Sequence, residues 1–265
     1  MSDASIIVKP TQTLAALKNV AGFMQLVLKI QKRQPSLPNI GVMHGWSGIG
    51  KTYGTIYAQN KTSAIRVEVG ESWTKKTFIR AILREAGVAE TRATVADLME
   101  QAVNALSEYH DRPLIIDEAD KLVDKGMIEL VREISEHSQI PVLLVGEEAL
   151  PSKLARIDRV HNRVLDWYPA EPCDLADCKK LADIFLVAHG AKIPVEDSLL
   201  DIVREKTHGR ARRVVVTLDK MLEWYGKNRP SEGLTIANYK GEIFTGDAPS
   251  ARSGYLKAVR GGRAA

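Results

Sequence analysis

The chain has 265 residues, 45% of them apolar and 26% charged, and a formal net charge of +4. These proportions exclude global disorder and fit one globular core with at most a small satellite. No run of about 18 apolar residues occurs, which excludes a membrane-spanning helix by composition, and the start MSDASIIVKP lacks the basic-then-apolar pattern of a signal peptide.

In chain order, residues 12–33 read as an amphipathic helix with Thr11 or Thr13 as its cap and Leu14, Leu17, Leu26 and Ile30 at helical spacing. Pro35 and Pro38 end it, and the apolar run from Asn39 to Met43 reads as a strand. A helix carries Thr52 to Tyr57. Ala64 to Val69 alternates as a second strand, followed by a helix from Lys75 to Ala86 that Gly87 closes. Thr94-Val95-Ala96-Asp97 reads as a capping box opening a helix to about Tyr109. Pro113 to Asp117 is a buried strand, Lys125 to His137 a helix, Ile140 to Gly146 a fourth strand and Val164 to Tyr168 a fifth. Strands alternating with helices predict a parallel sheet covered on both faces. After Pro172 the pattern turns helical, over Asp174–Ala188, Val195–Lys206 and Ala211–Tyr225. The expected partition is an N-terminal helix (1–35), an α/β core (36–171), a small all-α lid (172–246) and a basic flexible tail (247–265).

The charge is uneven. From Arg204 to Ala265 there are 13 Lys/Arg against 6 Asp/Glu, which suggests a polyanionic partner, nucleic acid first. Cys173 and Cys178 lack a zinc-finger spacing and fit a reduced, cytoplasmic setting.

Two motifs carry chemistry. Gly45-Trp46-Ser47-Gly48-Ile49-Gly50-Lys51-Thr52 matches the phosphate-binding pattern G-x-x-x-x-G-K-[ST], between a predicted strand and helix as that motif requires. Glycines let backbone amides turn toward phosphates, Lys51 reaches the β- and γ-phosphate oxygens, and the Thr52 hydroxyl suits Mg²⁺. Leu114-Ile115-Ile116-Asp117-Glu118 then buries a strand and presents Asp117 to the metal shell and Glu118 as general base for an attacking water. The run Asp-Glu-Ala-Asp also occurs in one helicase class, but such helicases need a second motor domain for which this length has no room.

With Gly209-Arg210-Ala211-Arg212-Arg213 in the helical part, these motifs resemble the AAA+ ATPases. Within that superfamily, Asp117 to Leu122 and Val142 to Leu150 are similar to the phage Mu B-type transposition proteins, over about residues 36–225. The resemblance implies an α/β P-loop AAA+ core with a five-stranded parallel sheet and an all-α lid, ATP and Mg²⁺ as ligands, and ATP hydrolysis. It implies a sensor 2 arginine at Arg212, with Arg213 second. A trans-acting arginine finger falls on Arg163, with Arg159 and Arg156 behind it. Glu147 falls at the sensor 1 position, where Asn, Gln or Thr is more usual. Partners implied are non-specific double-stranded DNA, a transposase, and further copies of the chain in an ATP-dependent helical filament. The prototype carries a helix-turn-helix domain ahead of the ATPase, whereas the 44 residues before Gly45 read as one helix. DNA is therefore expected on the ATPase itself.

The expected DNA contacts are Thr74, Lys75, Lys76 and Arg80 at the start of the third helix, where hydroxyls, amides and lysines suit phosphates. Lys121 and Lys125 are weaker candidates, and Arg252, Lys257, Arg260 and Arg263 could act from the tail. His44 and Trp46 read more simply as packing residues. Two other functions fit the same fold: a replication initiator or helicase loader, and a nucleotide-gated scaffold with negligible turnover.

Overall fold

In the computed structural model the described residues are 17–89, 92–191 and 193–247. Five strands, β1 (Ile40–His44), β2 (Ile65–Glu68), β3 (Leu114–Asp117), β4 (Val142–Gly146) and β5 (Val164–Pro169), form one sheet in the order β2-β3-β4-β1-β5. Every pairing is parallel. The central strands β3, β4 and β1 are apolar and buried almost throughout, as strands covered on both faces must be. Edge strand β2 alternates buried and open positions, and edge strand β5 is half-buried along most of its length.

Alternation along the strands sorts the helices into layers. Ile40, Val42, Leu114, Ile116, Val142 and Leu144 face α3 (Lys75–Glu85), α4 (Val95–Ser107) and α6 (Ile128–Ser138) through Phe78, Ile82, Leu98, Leu106, Val131 and Ile134. Met43, Ile115, Leu143 and Val145 face the other way, onto α1 (Lys18–Gln31) and α2 (Lys51–Thr62) through Phe23, Val27, Ile30 and Ala58. Each large side chain so buried contributes about 1.5–3 kcal/mol relative to an exposed one. A third cluster joins α9 (Leu175–Ala188), α10 (Asp197–Thr207) and α11 (Ala211–Asn228) around Leu181, Val203, Val214 and Leu218, and it takes in Leu17 and Val20 at the start of α1.

The predicted five-stranded parallel sheet and C-terminal helical region are both present. The capping box at Thr94 and Asp97 forms in both directions. Three elements differ from expectation. The helix predicted over 125–137 is α6, which starts only at Ile128 because Gly126 takes φ 63°, and a short helix that was not expected, α5 (Asp120–Asp124), precedes it. Two short helices, α7 (Leu150–Leu154) and α8 (Asp158–His161), fill the connection to β5. Val195 does not open α10 but pairs with Leu234 in an isolated parallel bridge. The expected caps Thr11 and Thr13, and the tail residues Arg252, Lys257, Arg260 and Arg263, lie outside the described residues. No described helix is long and apolar enough to cross a membrane.

Candidate functional site

The parallel sheet ends all its strands at one edge, and there β1 gives way to the loop of residues 45–50 that leads into α2. Gly48 and Gly50 have φ of 82° and 94°, left-handed values that only glycine adopts without strain. Gly50 is also the cap position of α2 and offers no side-chain acceptor, so the first amides of the helix stay available to an anion. Gly45 runs so close to the linker after β5 that a Cβ would lie 2.8 Å from the Ala170 carbonyl oxygen.

A cavity of about 480 Å³ opens over this loop. Ser47, Gly48, Gly50, Lys51 and Thr52 form its floor. Lys51 Nζ donates to the carbonyl oxygens of Gly45 at 2.6 Å and Trp46 at 2.8 Å. Burial lowers the Lys51 pKa, against an opposing pull from Asp117, Glu118, Glu147 and Asp120. Asp117, Glu118 and Glu147 line the opposite wall at the ends of β3 and β4, with Glu68 of β2 beside them. The third wall is the start of α11, where Ala211, Arg212, Val215 and Val216 face the loop. The Arg212 amide donates to Gly48 O at 2.9 Å, and the Arg210 guanidinium lies 5.8 Å from the Trp46 ring centroid. Tyr53 and Ile56 of α2 complete the lining.

Most of the expected nucleotide residues therefore converge. Gly45, Trp46 and Ile49 do not line the cavity. Gly45 lies beneath the loop, Trp46 stacks outward under Arg210, and the Ile49 side chain is buried. Glu118 has φ 59° and an ion pair to Lys121 at 3.4 Å, which ties the candidate DNA contact Lys121 to the candidate base. Glu147 is exposed, and its amide donates to Asp120 Oδ2 at 2.6 Å. Arg163 precedes β5 at the opposite end of the sheet from the cavity and pairs with Glu136 at 2.8 Å. Arg156 and Arg159 are exposed and make no ion pair with any described residue. Thr74 caps α3 by accepting from the Thr77 amide, with Lys75 exposed and Lys76 and Arg80 half-buried along the same helix. His44 packs edge-on against Trp167, and burial lowers its pKa, with Lys51 adding to the shift.

Sequence reasoning missed three side chains. Arg66 on β2 reaches Asp117, Asp120 anchors the turn at Glu147, and buried Asn19 on α1 holds Ile49 O at 2.9 Å and Glu171 O at 2.7 Å. The second Asp of Asp-Glu-Ala-Asp was a visible signal for Asp120. For Arg66 and Asn19 the pairing is tertiary and leaves no local pattern.

A parallel sheet in this order, a glycine-rich loop opening α2, an acidic pair at the end of β3 and a helical region resting on the loop make an α/β fold consistent with a P-loop AAA+ core. Residues 33–154 match the profile of a family described as AAA domain. That span includes the loop, Asp117, Glu118 and Glu147, and stops before β5 and the helical region. No curated protein sequence matches the chain. Among solved structures, the fold is similar to the ORC2 protein of Aeropyrum pernix in ADPNP–ADP complexes, with TM-score 0.62 and 16% identity over 91% of this chain and 69% of that one. It is similar to the ORC1 protein of the same organism in complex with DNA, with TM-score 0.60 and 20% identity over 83% of this chain and 63% of that one. It also resembles domain III of the replication initiation protein DnaA from Thermotoga maritima, with TM-score 0.51 and 18% identity over 83% and 88% of the two chains.

Proposed function

We propose that the chain is an ATP-dependent DNA-binding ATPase that assembles on duplex DNA, selects target DNA and activates a transposase. The observation that carries the ATPase reading is the convergence of Lys51, Asp117, Glu118 and Arg212 on one cavity over a glycine-rich helix start. Backbone amides at Gly48, Gly50 and Lys51 and the Lys51 ammonium hold the phosphates of ATP. Arg212, joined to the loop through its own amide, reports on the terminal phosphate. Glu118 takes the proton of the attacking water.

Thr52 and Asp117 would hold Mg²⁺. Both line the cavity, and the Thr52 hydroxyl has no hydrogen bond to a described residue. No group of three or more His, Cys, Asp or Glu that could hold a metal occurs among the described residues. Mg²⁺ is a cation that takes one or two protein oxygens and fills its shell with water and phosphate. When bound, it supplies neutralising charge to the phosphate oxygens.

An arginine at the far end of the sheet from its own cavity supports hydrolysis across a subunit contact. Arg163, which pairs with Glu136, is the first choice, with Arg159 and Arg156, which make no ion pair with a described residue, as fallbacks. The start of α3 is the proposed DNA surface. A second reading, a replication-initiator type of ATPase, draws on the fold likeness to the ORC and DnaA proteins.

The test is ATP turnover with and without non-specific duplex DNA, with imaging of the same samples. DNA-stimulated turnover and ATP-dependent filaments are expected. Lys51→Ala should abolish nucleotide binding, and Glu118→Gln should keep binding while reducing turnover by about 100-fold or more. ATP binding without DNA stimulation or filaments would favour the initiator reading, and normal ATP binding by Lys51→Ala would end both.

A further inference from the structure

Asp117, the carboxylate proposed to serve a divalent cation, already has a cation. Its side chain is 4% exposed, and Oδ2 accepts from Arg66 Nη2 at 2.8 Å and faces Thr55 Oγ1 at 3.3 Å. Oδ1 accepts from the Glu118 amide at 3.1 Å. The Arg66 side chain is only 14% exposed and is held from three directions. Besides Asp117, Nε donates to Thr55 Oγ1 at 2.9 Å and Nη2 to Glu68 Oε2 at 3.1 Å. Arg66 and Glu68 stand two residues apart on β2, on the same face of the strand. The guanidinium thus bridges a buried carboxylate and one that is 59% exposed.

A buried carboxylate without a partner is costly, so Arg66 stabilises Asp117 when no other cation is there. The same fixed positive charge opposes a second cation at that carboxylate, in a cleft where charges are screened less than in water. Glu68 gives the guanidinium a second partner at the cavity wall when Asp117 is taken.

We propose that Arg66 is a displaceable counter-ion that sets the divalent-cation affinity of this site, moving from Asp117 to Glu68 as the cation binds. The proposal rests on the nucleotide reading of the cavity. It makes Arg66 a positioning residue with a measurable sign. Removing it should tighten the cation, and removing its alternative partner should loosen it.

The experiment uses the full chain and two readouts. Binding of a fluorescent ADP analogue in EDTA first establishes the nucleotide site without metal. Loss of the free Mn²⁺ spin-resonance signal then gives the Mn²⁺ Kd of the ADP complex. Arg66→Gln is expected to tighten Mn²⁺ roughly tenfold, the scale of one nearby unit charge in a partly screened cleft. Glu68→Gln, at an exposed position that leaves folding intact, is expected to weaken it severalfold. The Glu68→Gln effect should shrink in the Arg66→Gln background to the screened pull of an exposed charge, whereas a direct metal ligand would keep its full effect, which separates the two. Mn²⁺ binding by Arg66→Gln that is unchanged or weaker overturns the proposal. So does Mn²⁺ binding by Glu68→Gln that is unchanged or tighter, and so does a Glu68→Gln effect that keeps its full size without Arg66. If the unaltered chain fails to bind the ADP analogue in EDTA, the nucleotide reading itself falls.

Discussion

At the scale of single residues, backbone strain marks one position. Among the described residues five non-glycine positions have positive φ, and four of them, Ser63, Gln139, His208 and Arg229, are helix C-caps, where the left-handed conformation is an ordinary stop. Glu118 is the fifth, at 59° between β3 and α5, and it caps nothing. Such a residue costs about 1–3 kcal/mol and persists only when its surroundings hold it. Its amide is fixed to Asp117 Oδ1, and the next amide, Ala119, to Val145 O at 2.9 Å. Glu118→Gly should relieve the strain. The ion pair lost to Lys121 is at the surface and worth little. A thermal midpoint raised by roughly 2–4 °C together with lost turnover is expected. A midpoint that stays or falls would show that the turn is not strained at this residue. The sequence made Glu118 legible as chemistry, since an apolar strand ending in Asp-Glu has few other uses. It did not reveal the neighbours that fix the turn. Asp120 Oδ2 would lie 2.1 Å from a Cβ on Gly146, so the glycine that ended the predicted fourth strand is also the space that lets Asp120 reach the Glu147 amide.

At the scale of elements, α1 is the clearest case of a pattern read correctly and placed incompletely. Leu26 and Ile30 announced a helix with an apolar face, but periodicity cannot say what that face meets. One part lies on the sheet through Phe23, Val27 and Ile30, and its first turn lies on the helical region through Leu17 and Val20. At the junction, Asn19 donates to Ile49 O and Glu171 O and accepts from the Glu171 amide at 3.0 Å, while the Lys18 amide donates to Asp177 Oδ1 at 3.0 Å. The helix is thus bonded to the phosphate loop, the linker after β5 and the start of α9. Asn19→Ala would leave three backbone groups without their partner, each costing about 1–3 kcal/mol if it stays dry. Urea unfolding should lose about 3 kcal/mol, and affinity for an ADP analogue should fall because the loop loses its anchor at Ile49. A loss of stability with unchanged ADP affinity would make Asn19 a packing residue only. The start of α6 was misplaced for a related reason. Gly126 falls just inside the helix predicted from Lys125, and its φ of 63° leaves it outside α6, which begins at Ile128.

At the scale of the whole molecule, the parallel sheet puts two surfaces at one edge. The strands that deliver Lys51, Asp117 and Glu147 to the cavity end there, and so does β2, whose exit leads through residues 69–74 into α3. Lys75 and Lys76 open α3 without an ion pair to any described residue, whereas Lys121 is paired with Glu118 beside the cavity. The proposed DNA contacts therefore divide into two kinds. If the start of α3 meets phosphates, each lysine removed takes one counterion-releasing contact with it. Lys75→Ala with Lys76→Ala should then lower the slope of log affinity against log salt by roughly 2 on duplex DNA of any sequence. Turnover without DNA should stay as it was, because neither lysine lines the cavity. Lys121→Ala should instead change turnover without DNA, since it frees Glu118. Duplex-binding titrations at several salt concentrations, run beside DNA-free hydrolysis assays, separate the two. An unchanged slope in the double variant would remove α3 from the DNA surface and move the search to the basic residues after Arg204. A lost basal rate in the same variant would mean that the edge of the sheet is one site serving both ligands.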